Sequence, residues 1–362
     1  MKTCLERIPQ DVVALCDYER LAPEFLPPDI WAYLAGGAAD ERGLKVNQEA
    51  YRQWSIQPQV LVEMHGASST LQLRGGQLPH PFFIAPMAAH RLFHAEGELA
   101  TALGAAAMGA PLVMSCRAST PIEAMPRHLG VPLWFQLYVR KDREFMLGLV
   151  RRLEDAGCDG LVVTVDAPVS GIRNREQRAG FRFPEEIEAP HLVGEPAWPV
   201  VESVLDPRYL AELPTWEDLI WLKNQTRLPV WLKGVLSVAD AQRAVEASFD
   251  GLVVSNHGGR TLDVLPAPLK VLPEISREVA GRIPVLVDGG IRRGTDAFIA
   301  LALGADAVMV GRPMLYALAV AGAVGVAHAL RILCHELEVA MLLAGCPTLP
   351  SIRGRVRPVM KG

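Results

Sequence analysis

The sequence predicts an α/β protein built as a (β/α)₈ barrel. Three observations carry this: eight short apolar runs occur in series, helix-length amphipathic stretches separate them, and nearly every run ends in polar or glycine residues. Strands apolar on both faces, alternating with helices, describe a parallel sheet covered by helices. Eight such units favour closure into a barrel over a doubly wound open sheet, which stands as the alternative.

The eight runs begin at Pro81, Ala110, Pro132, Gly160, Leu228, Gly251, Pro284 and Ala307. Helices are expected over Gly97–Gly109, Thr120–Leu129, Arg143–Ala156, Trp216–Thr226, Val238–Ala247, Leu269–Val279 and Thr295–Leu303, with a last one from about Val326 to Leu343. The small-residue run Tyr316 to Val326 reads as a buried helix, too short for a membrane span of roughly 20 residues. The spacing is even except after the fourth run, where residues 167–227 form a long Pro-rich connection. In a barrel it must lie over the top face, where loops act as lids. The expected organisation is an N-terminal, initially helical extension (1–75), a barrel (76–346) and a C-terminal tail (347–362).

Composition excludes several classes. With 36 basic and 40 acidic residues the net charge is −4, which argues against a nucleic-acid partner. The six cysteines are scattered without C-x-x-C or metal-like spacing, so no metal site is expected and reduced thiols in the cytoplasm are. No apolar signal core, membrane span or C-terminal peroxisomal tripeptide is visible, so no membrane partner is expected.

In such barrels the chemistry lies at the C-terminal strand ends. Here the second run ends in Ser115, the third in Gln136 and Tyr138, the fourth in Thr164 and Asp166, and the fifth in Lys233. The sixth ends in Ser255-Asn256-His257, the seventh in Asp288-Gly289-Gly290 and the eighth in Gly311-Arg312. Glycines and arginines after runs seven and eight, including Arg292, fit the usual phosphate position, where backbone N–H groups and a helix N-terminus face an anion. Lys233 has three readings: a Schiff-base lysine, the partner of a buried carboxylate, or a positive charge beside a cofactor that becomes anionic on reduction. His257, three residues before Arg260 in a Gly-rich turn, pairs a base with a carboxylate holder, and Asp166 is placed to orient the imidazole.

Ser255 to Asp263, S-N-H-G-G-R-T-L-D, resembles the active-site signature of the FMN-dependent 2-hydroxy acid oxidase/dehydrogenase family, which includes glycolate, lactate and mandelate-type enzymes. The resemblance runs from about Trp31 to Cys346. It includes Tyr-Leu-Ala-Gly-Gly-Ala from Tyr33, Ile-Ala-Pro-Met-Ala from Ile84, His-Ala-Glu-Gly-Glu from His94 and Trp-Phe-Gln-Leu-Tyr from Trp134. Thr-Val-Asp from Thr164, Leu-Lys-Gly from Leu232, Asp-Gly-Gly-Ile-Arg-Arg-Gly from Asp288 and Gly-Arg-Pro from Gly311 complete it.

The resemblance implies FMN as cofactor and oxidation of an (S)-2-hydroxy acid, with O₂ or another acceptor taking the electrons. It implies His257 as base backed by Asp166, a substrate carboxylate held by Arg260, Arg173 and Tyr33, and Tyr138 beside the reacting hydroxyl. It places Pro86, Met87 and Ala88 along the isoalloxazine, with Ser115, Gln136 and Thr164 at its polar edge and Lys233 and Ser255 close by. Ribityl and phosphate fall to Asp288, Gly289, Gly290, Arg292, Gly311 and Arg312. The family also implies a homotetramer.

One residue departs from the pattern. Arg117 stands where glycolate oxidase-like members carry tryptophan and aromatic-acid members a small residue. Facing the substrate side chain, it would favour an anionic or hydrogen-bond-accepting distal group; facing away, it would meet solvent or the long connection. A lyase using Lys233 and a catalytically silent flavin binder are the competing functional classes.

Overall fold

A computed structural model of the 362-residue chain describes residues 2–126 and 129–359. Eight parallel strands close a barrel in sequence order: β1 (Phe82–Ile84), β2 (Leu112–Ser115), β3 (Leu133–Leu137), β4 (Gly160–Thr164), β5 (Val230–Val235), β6 (Gly251–Val254), β7 (Val285–Val287) and β8 (Ala307–Val310). These are the eight apolar runs. Their side chains are buried on both faces, because one face fills the barrel and the other meets the helices. Phe83, Trp134 and Trp231 pack against one another inside, with ring centroids 5.3 and 4.9 Å apart.

Around the barrel run α4 (Gly97–Met108), α5 (Arg143–Asp155), α9 (Val238–Glu246), α10 (Pro268–Val279), α11 (Gly294–Ala302) and α12 (Arg312–Ala344). Their starts carry local signals: the Asp142 side chain caps α5, Ser237 caps α9, and Pro268 opens α10. Before the barrel come α1 (Leu15–Leu21), α2 (Pro28–Ala35) and α3 (Arg42–Glu49).

Two helix expectations need correction. The stretch Thr120–Leu129 holds only a 3₁₀ turn at Ile122–Ala124, and residues 127–128 lie outside the described part. Pro126 forces Met125 into extended backbone (ψ 132°), which stops a helix there. The last helix starts at Arg312 rather than near Val326, with non-helical backbone at Ala321 and Gly322 separating its halves. Its first half is apolar all round because it is buried, so it shows no amphipathic period. By length and composition α12 could cross a membrane, but 67% of its most apolar window is buried in the fold.

The connection 167–227 contains α6 (Asn174–Ala179), α7 (Pro207–Ala211) and α8 (Trp216–Lys223). It is fastened to the barrel top by Arg140, which is 3% exposed. That guanidinium pairs with Glu195 at 2.6 Å, donates to the Pro196 carbonyl at 3.0 Å and stacks over Trp198. The chain after 346 adds a strand, Val356–Pro358, antiparallel to Trp54–Ile56 of the N-terminal extension.

The extension is sewn to the loops after β6 and β7. Ala38 N–H donates to the Gly259 carbonyl at 2.8 Å, and the Asn47 and Asn256 amides exchange reciprocal 2.8 Å hydrogen bonds. The Tyr51 hydroxyl donates to the Gly289 carbonyl at 3.1 Å. Asp263, last residue of the nine-residue motif, accepts from Asp40 N–H at 3.1 Å and Gly43 N–H at 2.8 Å.

Asp263→Ala therefore strands two backbone donors, one of them fully buried. A hydrogen bond to a charged group is worth about 1.5–3 kcal/mol, so the thermal midpoint of the FMN-loaded protein should fall by several degrees. An unchanged midpoint would show that the extension is held by other contacts.

Candidate active site

His257 sits just past β6 with its backbone in the left-handed region (φ 57°), an unusual conformation for a side-chain-bearing residue. Its N–H donates to Ser255 Oγ at 3.0 Å, which helps hold the turn. Its Nδ1 lies 2.9 Å from Asp166 Oδ1, at the end of β4. Gly234, in the intervening strand β5, makes room: a Cβ there would lie 2.5 Å from the Asp166 side chain, and φ is 107°. Burial pushes the Asp166 carboxyl pKa up, but the charges of His257 and Lys233 outweigh it and hold the group below its usual range. An ionised carboxylate only accepts hydrogen bonds. Nδ1–H therefore donates to Asp166, which leaves Nε2 as the ring nitrogen able to exchange a proton with a ligand.

Lys233, at 4% exposure on β5, donates to Ser255 Oγ at 3.0 Å and pairs with Asp288 at 3.1 Å. Burial alone would lower its pKa, yet Asp288 and Asp166 more than offset this and raise it. Lys233 is thus the partner of buried carboxylates and a fixed positive charge. A Schiff-base lysine needs a free amine lone pair, which this setting withholds.

Two arginines that could hold an anion follow in the same region, Arg260 being three residues after His257. Arg260 Nη1 donates to the Tyr33 and Gly36 carbonyls at 2.8 and 2.7 Å, and Nη2 to Glu176 at 2.9 Å. Its guanidinium stands over the Tyr33 ring, 5.1 Å from the centroid. Arg173, at the start of α6, pairs with the same Glu176 oxygen at 3.1 Å. Burial raises the pKa of both Tyr33 and Tyr138, so both hydroxyls stay protonated donors. Neither has a hydrogen-bond partner among the described residues, which leaves both open to a ligand.

The neighbouring strand ends form a cradle. Ser115 Oγ donates to Gln136 Oε1 at 3.1 Å, which leaves Gln136 Nε2 buried with no partner among the described residues. Asp288 Oδ1 is orphaned in the same way. Unpaired buried polar atoms in a native site call for a ligand, and these suit the polar edge and ribityl hydroxyls of FMN. Pro86, Met87 and Ala88 line the mouth after β1, half-buried, and Thr164 closes β4. At Gly290 (φ 84°) a Cβ would meet the Asn47 carbonyl oxygen at 2.2 Å, so only glycine brings the loop after β7 this close.

Arg312, beside Gly311, donates to the Gly258 carbonyl at 2.6 Å; burial lowers its pKa to about 10, still charged at neutral pH. Arg292 Nε is engaged by Glu19 of α1 at 3.1 Å. Gly289, Gly290, Arg292, Gly311 and Arg312 are therefore grouped around one end of the mouth, where the residues fit a phosphate.

The expected residues stand at the C-terminal ends of β1 to β8 or in the loops that follow, with Tyr33 supplied by α2 and Arg173 by the start of α6. Arg117 is at the rim of the mouth with an exposed side chain, and it helps line a 20 Å³ cavity with Tyr138, Leu137, Phe145, Leu192 and Glu195. Sequence reading missed Glu176, Asn47 and the spacing role of Gly234. Glu176 had one signal, its position three residues after Arg173 on a short helix; Asn47 had none, since its partner is 209 residues away.

The chain is similar to known proteins along nearly its whole length. The model of the FMN-dependent dehydrogenase family matches residues 22–357. An L-lactate oxidase of Alicycliphilus denitrificans is 44% identical over 96% of both chains. A 4-hydroxymandelate oxidase of Amycolatopsis orientalis is 43% identical over 94% of this chain and 97% of its own. A crystal structure of mandelate oxidase with benzoyl-formic acid superposes with a TM-score of 0.87 at 41% identity, covering 96% of this chain and 98% of that one. The chain belongs to the FMN-dependent dehydrogenase family: it is an oxidoreductase of the 2-hydroxy acid oxidase group, with FMN as its cofactor.

Proposed function

We propose that the protein oxidises an (S)-2-hydroxy acid to the 2-oxo acid and passes the electrons to O₂, giving H₂O₂. The observation that carries this is the pairing, in one mouth, of an Asp166-backed His257 with the two arginines of the anion seat. FMN, when bound, supplies the two-electron acceptor. Arg260, Arg173 and the Tyr33 hydroxyl hold the substrate carboxylate, which fixes the α-carbon relative to His257. Tyr138 donates to the reacting hydroxyl. His257 Nε2 accepts the substrate proton, and the Asp166 carboxylate stabilises the imidazolium that results. Lys233, kept cationic by its carboxylate neighbours, holds positive charge at the floor of the cradle.

Oxygen as acceptor is supported by the relatives, which are named oxidases. The six cysteines, all unpaired, support a cytoplasmic setting. Association into a homotetramer is carried over from the family resemblance, and exposed apolar residues near the end of α12, Val339, Leu342 and Leu343, offer surface for contact between copies. The 20 Å³ cavity that Arg117 lines with Leu137, Phe145 and Leu192 has room for about one water-sized group, so the substrate side chain would extend past it toward the exposed Arg117. Such a place for Arg117 favours an anionic or hydrogen-bond-accepting group at the far end of that side chain.

A panel of (S)-2-hydroxy acids mixed anaerobically with the yellow protein tests the reading. Bleaching of the flavin by at least one acid, then recovery of colour with H₂O₂ on admitting air, is the expected result. No bleaching by any acid would reject the substrate class, and recovery only with a quinone or protein acceptor would reject the oxidase half.

His257→Ala should retain FMN and slow flavin reduction by about 10²–10⁴, the scale of a positioned acid–base group. Near-normal reduction would remove His257 from the chemistry. Arg117→Ala should lower kcat/KM for acids with a distal acceptor group relative to neutral analogues, at unchanged FMN content. An unchanged ratio would mean that Arg117 serves the surface alone.

A further inference from the structure

Glu176 is a carboxylate set between the two arginines that face the substrate, at 14% side-chain exposure. One of its oxygens accepts from Arg173 Nη1 at 3.1 Å and Arg260 Nη2 at 2.9 Å. The two guanidiniums depend on it unequally. Arg260 has five N–H donors; Nη1 gives both of its own to the Tyr33 and Gly36 carbonyls, which fix the plane without Glu176. Arg173 has no partner other than Glu176 among the described residues.

The two arginines also repel each other. The charge of Arg173 helps lower the Arg260 pKa, second in effect among the lowering causes to burial. Arg173 begins α6 in the long connection and is more exposed than Arg260, 24% against 13%. With the bridging carboxylate removed, Arg173 is the guanidinium free to swing toward solvent, away from its like charge. Donor counting shows that the seat stays open with Glu176 in place: two N–H groups of Arg260 and four of Arg173 remain uncommitted. With substrate bound, two cations and two carboxylates give a neutral cluster.

We infer that Glu176 is a positioning residue that holds Arg173 in the substrate anion seat by bridging it to Arg260. This rests on the reading of Arg173 and Arg260 as the carboxylate holders. Glu176 sets affinity for the acid through Arg173, rather than touching the reacting atoms.

A double-mutant cycle on the FMN-loaded enzyme tests it, with Kd for pyruvate and benzoylformate read from flavin absorbance without turnover. Glu176→Ala should weaken the tighter-binding probe by about tenfold, the scale of one lost hydrogen bond between ions. In the Arg173→Ala background the same change should alter Kd by less than about twofold, because both act through one guanidinium. Glu176→Gln, which keeps an acceptor, should recover part of the affinity, with FMN content and thermal midpoint unchanged.

Tighter binding in Glu176→Ala would make Glu176 a competitor for the seat and overturn the inference. Equal weakening in both backgrounds, no change, or loss of FMN in both Glu176 variants would also overturn it. Unaltered affinity in Arg173→Ala alone, or no binding of either probe to the parent enzyme, would instead overturn the underlying reading of the seat.

Discussion

The chemistry at the barrel mouth depends on one contact, the 2.9 Å hydrogen bond between His257 Nδ1 and Asp166 Oδ1. It joins residues 91 positions apart, just past the ends of β4 and β6, and the strand between them is shaped to permit it. Gly234 gives up its side chain so that Asp166 fits, while Lys233 one residue earlier adds the charge that helps keep that carboxylate ionised. A neutral Asp166 could donate a hydrogen bond and would leave the imidazole tautomer unfixed. The charged one directs the free lone pair to Nε2. Three adjacent strands thus fix which ring nitrogen meets the carboxylate.

Charge is arranged around that pair in alternation. Lys233 lies between Asp166 and Asp288, Glu176 lies between Arg173 and Arg260, and Arg292 meets Glu19. Buried or half-buried ions are tolerated only with partners of opposite sign and satisfied hydrogen bonds. Among the polar atoms left without a partner, Gln136 Nε2 and Asp288 Oδ1 at the strand ends suit the cofactor, and the hydroxyls of Tyr33 and Tyr138 are open to a substrate. The N-terminal extension takes part directly, since Tyr33 and Gly36 orient Arg260 and Asn47 braces the loop that carries His257.

The barrel was legible because a strand buried on both faces leaves an unbroken apolar run, and eight of them stood in series, evenly spaced except after the fourth. The mouth was legible for a related reason. Polar residues at strand ends break those runs where the fold puts its chemistry, and the nine-residue motif from Ser255 is dense in them. Long-range partners were not legible. Nothing local to Asn47, Asp263 or Gly234 announces the contact that each makes, because the other half lies far along the chain. The failed helix after β2 was a local error, since Pro126 already excluded it. The start of α12 was harder to see, because a helix buried on every side has no amphipathic signature.

The central claim is that the Asp166 charge, acting through His257, drives proton removal from a bound 2-hydroxy acid. Anaerobic stopped-flow reduction of FMN in Asp166→Asn measures this directly, since asparagine keeps the shape and a hydrogen-bond acceptor but not the charge. The limiting reduction rate should fall by about 10²–10⁴, while Kd for the acid stays within a few-fold and FMN remains bound. A limiting rate close to that of the parent enzyme would contradict the account.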